Sequence, residues 1–194
     1  MKKIRLAILG STRGTDMLAL IAAIEQKRLD ASIELVISNK AEAIILQRAR
    51  ERGLRTLFLD PQGLSKDAFD EKVSEALEKA KIDLIILIGF MRILSKNFVH
   101  RWENKIINVH PSLLPAFAGG MDQNVHQAVL AAKVKETGCT VHYVTEQVDQ
   151  GPILVQKKCA VLAQDTVESL KERVQTLEGL ALIEAVSIFG GVNF

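Results

Sequence analysis

Cysteine is scarce in this chain, with Cys139 and Cys159 alone among 194 residues. Neither belongs to a Cys-x-x-Cys pair, so a disulfide framework and a structural zinc site are both poor descriptions of the chain. Isolated cysteines in apolar stretches read as small buried hydrophobes. Long apolar runs are also missing. The run Leu84-Ile85-Ile86-Leu87-Ile88 falls far short of the roughly 20 residues that span a bilayer. Neither sign of charge dominates, since 25 Lys+Arg face 23 Asp+Glu for a net +2. A dedicated nucleic-acid binder would carry a basic excess, so no nucleic-acid partner and no membrane is expected. Internal repeats, low-complexity tracts and linkers rich in Pro, Gly or Ser are absent too. The opening Met-Lys-Lys-Ile-Arg-Leu enters a strand pattern without a small-residue cleavage site, so a cytoplasmic chain is expected. What is present is ordinary globular composition, 48% hydrophobic and 25% charged, enough for one sizeable core.

Short β-branched runs alternate with longer amphipathic stretches. Ile4 to Leu9 reads as a buried strand, followed by Gly10-Ser11-Thr12-Arg13-Gly14-Thr15 and a helix to about Lys27. Ile33 to Ser38 is a second strand, and Ala41 to Arg52 a helix closed by Gly53. A third strand spans Leu54 to Leu59, and Ser65 caps a helix through Ala80 whose acidic residues gather near its start. Leu84 to Ile88, apolar on both faces, suits the middle of a parallel sheet. Ile106 to Val109 runs into His110-Pro111. Strands alternating with helices of this length imply βαβ units: an α/β fold of one domain, its open, mostly parallel sheet covered by helices on both faces.

Beyond residue 110 the rhythm changes. A turn-rich loop over 111–122 precedes a helix from Val125 to Ala132, strands at Cys139–Val144 and Ile153–Val161, and a long helix starting near Thr166. Residues 1–105 carry 19 basic and 14 acidic groups, residues 106–194 carry 6 and 9. The first half, at +5, is therefore the natural home of an anionic ligand. The division expected is a phosphate-binding half at 1–105 and a catalytic half at 106–194.

Ligands of open parallel sheets bind beyond the carboxyl ends of the strands, and four polar clusters fall there. The loop Gly10 to Thr15, directly before a helix, can bind a phosphate through backbone N–H groups and the helix dipole. Its other reading is a plain glycine turn with Thr15 or Asp16 as N-cap. It has neither the G-x-G-x-x-G nor the G-x-x-x-x-G-K-[ST] spacing. Gly89-Phe90-Met91-Arg92 can line an apolar slot or simply fill core. Asn108 and His110, two apart in extended chain, share a face, where an amide and an imidazole can hold and protonate an oxyanion. Asp149, in Val148-Asp149-Gln150-Gly151-Pro152, either faces the same cleft or marks a surface turn.

The string Asn108-Val109-His110-Pro111-Ser112-Leu113-Leu114-Pro115, with Val141-His142-Tyr143-Val144 and Asp149-Gln150-Gly151-Pro152-Ile153, resembles the folate-dependent glycinamide ribonucleotide formyltransferases. Gly89-Phe90-Met91-Arg92-Ile93-Leu94 and Arg173-Val174-Gln175-Thr176-Leu177-Glu178 match the same family in order and spacing, so the resemblance covers essentially the whole chain. It implies a Rossmann-like formyltransferase fold and transfer of a formyl group from 10-formyltetrahydrofolate to the amine of 5-phosphoribosylglycinamide in purine synthesis. By that resemblance Asn108, His110 and Asp149 are the catalytic trio, with no metal. Ser11, Thr12, Arg13, Gly14 and Thr15 take the phosphate, while Gln175 and Glu178 face the ribose and the glycinamide. Met91, Arg92, Ile93, Leu94 and Asn108 face the folate, with Lys66 the candidate for its tail.

Three departures from the family pattern stand out. The phosphate loop is poorer in Gly and Ser/Asn than usual. The stretch 118–124 is longer and reads as part of an active-site flap. Relatives often continue beyond Gly190-Gly191. A formyltetrahydrofolate deformylase would use the same trio with water as acceptor, but is expected to carry an extra domain ahead of the sheet. A methionyl-tRNA formyltransferase is expected to carry an RNA-binding domain behind it. A non-catalytic folate- or nucleotide-binding module would have no need of the trio. Partners expected are the two small substrates, with the chain a monomer or homodimer.

Overall fold

Strand β1 (Ile4–Leu9) is followed by α1 (Thr15–Glu25), β2 (Ala31–Ser38), α2 (Ile44–Arg50), β3 (Thr56–Phe58), α3 (Lys66–Lys79), β4 (Leu84–Leu87) and α4 (Lys96–Arg101). Then come β5 (Ile106–His110), α5 (Gln123–Ala131), β6 (Glu136–Tyr143), β7 (Ile153–Ala160) and α6 (Val167–Phe189). The computed structural model describes residues 3–120 and 123–191. All seven strands form one sheet in the order β3-β2-β1-β4-β5-β6-β7. The first five strands in that order run parallel, and β6 is antiparallel to both β5 and β7. The open, mostly parallel sheet expected from the sequence is therefore present.

Strand alternation sends each side chain to one of two helical layers. Ile4, Leu6 and Ile8 of β1, with Leu84 and Ile86 of β4 and Ile107 of β5, pack on the layer that holds α1, α2, α5 and α6. Ala7, Leu9, Ile85, Leu87 and Ile106 point the other way, onto Phe69, Val73 and Leu77 of α3 and Phe98 and Val99 of α4. Burying each of these Leu or Ile side chains contributes about 1.5–3 kcal/mol. On α6, Leu170, Val174 and Ala181 are fully buried, as their spacing predicts.

Most of the predicted elements stand, some with shifted ends. The third strand shrinks to three residues because β3 is an edge strand paired only with β2. The second helix starts at Ile44 behind Ala43, whose side chain supplies no cap. Helix α4 was not anticipated. It is six residues long, under two turns, so it shows too little periodicity to read, and its one signal is the Ser95 cap accepting from Phe98 N at 3.2 Å. Ser65 caps α3 as expected, accepting from Ala68 N at 3.1 Å. Cys139 is fully buried, and burial, with Glu178 and Asp16 nearby, pushes its thiol up to about 12. Among the described residues no helix is long and apolar enough to cross a membrane.

Candidate active site

Chain connectivity reverses direction at β1, whose neighbours are β2 on one side and β4 on the other. The loops leaving β1 and β4 diverge there and open a crevice, the usual ligand position of such sheets. They are also stitched together. Ser11 N donates to Gly89 O at 3.1 Å, and Ser11 Oγ accepts from Met91 N at 2.8 Å while donating to Asn39 Oδ1 at 2.6 Å. Gly89 has φ +56°, and a Cβ there would lie 2.4 Å from Thr12 Oγ1. Glycine is thus required where the two loops touch.

The first wall of the cleft is the turn into α1. Gly14, with φ +65°, is the N-cap of α1 and supplies no side-chain cap, so neither Thr15 nor Asp16 plays that part. A Cβ on Gly14 would fall 2.3 Å from Ile45 Cγ1, so α2 packs directly under the turn. Thr12, Arg13, Gly14, Thr15 and Asp16 line the cleft, but Ser11 does not, its hydroxyl being spent on the loop-to-loop strut. Arg13 is exposed, and Arg48 Nη1 holds its carbonyl at 2.9 Å. Opposite, Gln175 and the buried Glu178 line the cleft from α6. Lys171 lies one turn before Gln175 on the same helical face and lines the cleft too. Nothing in the sequence pattern separated it from a solvated helix face.

The second wall follows β4. Phe90, Met91, Arg92, Ile93 and Leu94 all line the cleft, with Val99 behind them. Arg92 Cζ sits 4.2 Å over the Phe69 ring, a cation–π contact. The far end of this segment is anchored by Asp70, whose Oδ2 accepts from Ser95 N at 2.6 Å. Burial pushes the Asp70 carboxyl up, against the Ser95 hydrogen bonds and the Arg92 charge. Lys66, the first residue of α3, is exposed and is not among the residues lining the cleft.

The floor is the end of β5. Ile107 and Val109 enter the core, so Asn108 and His110 share the opposite side, as alternation predicts. In the β5–β6 register Asn108 faces His142 and His110 faces Thr140. The His142 ring lies with Nδ1 2.9 Å from Tyr143 O and Nε2 3.2 Å from Asn108 Nδ2. Contact with this ring orients the Asn108 amide. His142 was legible in the sequence only as one letter of a string. Its place beside Asn108 depends on antiparallel pairing across distant segments.

Asp149 closes the constellation from the turn between β6 and β7, with its backbone at φ +56°. Its Oδ2 lies 3.4 Å from His110 Nδ1 and accepts from Gly119 N at 2.8 Å, while its Oδ1 lies 3.6 Å from His142 Nε2. Burial pushes the Asp149 carboxyl up, but His142, the Gly119 N–H and His110 outweigh it and leave the group below its ordinary value. For His110 the balance goes the other way. Burial lowers its pKa below the usual imidazole value, although Asp149 and the Phe117 carbonyl, 3.1 Å from Nε2, both raise it. The lowered value favours the neutral ring at rest. Both ring nitrogens nonetheless face acceptors, so a second proton would be met as soon as it arrives.

The loop after Pro111 supplies Phe117 O to this cluster, and the stretch 118–124, expected as part of a flap, supplies Gly119 N; Met121 and Asp122 of that stretch lie outside the described residues. The cleft measures about 240 Å³, just under the range of about 300–1,000 Å³ usual for small-molecule sites. Among the described residues no group of three or more His, Cys, Asp or Glu side chains is arranged to hold a metal ion.

Known proteins share this architecture. The formyl transferase family model matches residues 4–186. The chain is 46% identical over 187 residues to the trifunctional purine biosynthetic protein adenosine-3 of Gallus gallus, spanning 96% of this chain but only 18% of that protein. It is 36% identical over 174 residues to the phosphoribosylglycinamide formyltransferase of Escherichia coli (strain K12), covering 89% of this chain and 81% of that one. The crystal structure of glycinamide ribonucleotide transformylase 1 from Symbiobacterium toebii superposes with a TM-score of 0.93 at 38% identity, covering 98% of this chain and 89% of that one. Sequence, sheet order and site agree in one conclusion: the chain belongs to the formyl transferase family.

Proposed function

We propose that this chain transfers the formyl group of 10-formyltetrahydrofolate to the primary amine of 5-phosphoribosylglycinamide, a step of purine biosynthesis. The observation that carries the reading is the convergence of Asn108, His110 and Asp149 on one cleft, between a helix-N-terminal loop and an apolar wall. The names of the relatives in Escherichia coli and Symbiobacterium toebii point to the same activity.

The phosphate of the ribonucleotide sits at Thr12 to Thr15 and the α1 N-terminus. Lys171, Gln175 and Glu178 face its ribose and glycinamide portions. The folate pterin lies along Met91 to Leu94, with Arg92 and Ile93 among the contacts. Its glutamate tail runs outward, and Lys66, exposed and outside the cleft, is no part of the pterin site. The two substrates share no other partner in this reading. The chain works in the cytoplasm as a monomer or homodimer, without nucleic acid or membrane.

The amine nitrogen attacks the formyl carbon, its C=O becomes an oxyanion, and the nitrogen becomes positively charged. The Asn108 amide donates to the oxyanion, its orientation set by His142. A neutral His110 takes the proton from the charged nitrogen, and Asp149 stabilises the imidazolium that results. The same proton then passes to the departing folate nitrogen as the carbon–nitrogen bond breaks. The products are the formamide and tetrahydrofolate. A resting neutral imidazole suits this sequence better than a permanently protonated one, because the first task is to accept.

The competing reading is a hydrolase in which water replaces the amine. Tetrahydrofolate release, followed with and without the ribonucleotide, separates the two. Transfer predicts release only when the ribonucleotide is present, with the formyl label on its amine. Label appearing as free formate at the same rate in both reactions would establish the hydrolase.

A further inference from the structure

The turn that brings Asp149 to the site is held at two points. One is Asp149 itself, through Gly119, His110 and His142. The other is Glu146, three residues earlier, which lines the cleft and bridges Lys96 and His100 of α4. Lys96 Nζ lies 2.9 Å from Glu146 Oε2, and His100 Nε2 lies 2.7 Å from Oε1. A histidine Nε2–H is a donor in either the charged ring or the matching neutral tautomer, so both contacts persist without a change of charge on His100. The Lys96 hydrogen bond, set against burial and joined by His100, holds the Glu146 carboxyl below its ordinary value.

Helix α4 is a firm anchor. Its N-terminus is tied to α3 by Asp70 and Ser95 N, and its C-terminus by Arg101, which pairs with Glu71 at 2.8 Å and Glu78 at 2.7 Å. Just beyond, Trp102 Nε1 donates to Ser74 Oγ at 3.1 Å. The same helix directly follows Met91 to Leu94. Ile93, which follows β4, and Val148, in the Asp149 loop, both line the cleft and are 60% and 49% exposed. Inside the Asp149 loop the bracing is local: Gln150 N and Thr145 Oγ1 both donate to Gln147 O, at 3.3 and 3.1 Å.

We infer that Glu146 is a positioning residue: clasping Lys96 and His100, it fastens the loop that carries Asp149 to α4 and sets the width of the folate half of the cleft. The assignment of that half to folate rests on the function proposed above; the clasp itself does not. Exposed ion pairs are individually weak, and these side chains are 79%, 68% and 34% exposed, so the effect is confined to local loop order. Its size should be about two- to fivefold.

The test compares wild type with Glu146→Gln, Lys96→Met and the double variant. Hydrogen exchange of the amides in 145–151 should quicken two- to fivefold in each single variant, with strands β4 and β5 unchanged. The KM for 10-formyltetrahydrofolate should rise by a similar factor, while the KM for the ribonucleotide stays constant. The double variant should resemble Glu146→Gln alone, since both changes open one contact. Unchanged exchange in 145–151, or single effects that simply add, would overturn the clasp. So would an equal rise in both KM values. Absence of formyl transfer in the wild type would instead strike the proposed function, and the exchange arm would still decide the clasp.

Discussion

His110 is pulled in opposite directions, down by burial and up by Asp149 and Phe117 O. Removing the carboxylate charge while keeping its shape, as in Asp149→Asn, should lower the His110 titration further. The imidazolium formed during transfer then loses its counter-charge, so turnover should fall at every pH above that titration. Histidine NMR titrations of both proteins, read beside their pH–rate profiles, check this. An unmoved His110 with normal turnover would reduce Asp149 to a turn residue. Asn108→Ala should cost roughly 10²–10³ in turnover, the weight of one oxyanion donor, with little change in either KM. The shared face of Asn108 and His110 was legible because they are two apart in one strand, whereas Asp149 was tied to them only by the family resemblance. Lys171 and His142 were not, since their roles arise from packing between segments distant in the chain.

Among the elements, the turn into α1 and the start of α6 are the most exposed to single changes. Gly14→Ala forces a side chain to φ +65° and into Ile45, which should cost about 2–4 kcal/mol from backbone strain and overpacking. Denaturant unfolding should show that loss, and Ile45→Ala in the same chain should recover part of it. A change at Gly14 therefore tests folding before it tests phosphate binding. At α6, Thr166 Oγ1 accepts from Ser169 N at 3.2 Å while Ser169 Oγ accepts from Thr166 N at 3.0 Å. Thr166→Ala should remove about 1 kcal/mol and lower the melting temperature by about 2–4 °C, with both KM values unchanged. Long amphipathic helices and buried strands announced themselves through period and capping residues. The short α4 and the edge strand β3 did not, because three to six residues hold too little pattern and their limits are set by neighbours.

At the scale of the molecule, one charged cluster ties stability to pH. His110 has a lowered pKa in the fold, so as pH falls through its ordinary value near 6.5 the unfolded chain takes up the proton more readily. Stability present above that pH is therefore lost on acidification, and Asp149, also lowered, extends the loss to lower pH. Urea unfolding from pH 7.5 to 5 should show the decline, with a flatter slope in His110→Ala. The order of strands was partly legible: alternation of strand and helix gave the parallel core, while the antiparallel β6 and β7 were read only as strands. Their pairing is what brings His142 and Asp149 to β5. The most direct test of the whole account is turnover by His110→Ala with both substrates at saturation. Because the ring moves the proton between amine and folate nitrogen, turnover should fall roughly 10²–10⁴-fold, with both substrates still bound. A folded His110→Ala protein that keeps most of its turnover would contradict the account.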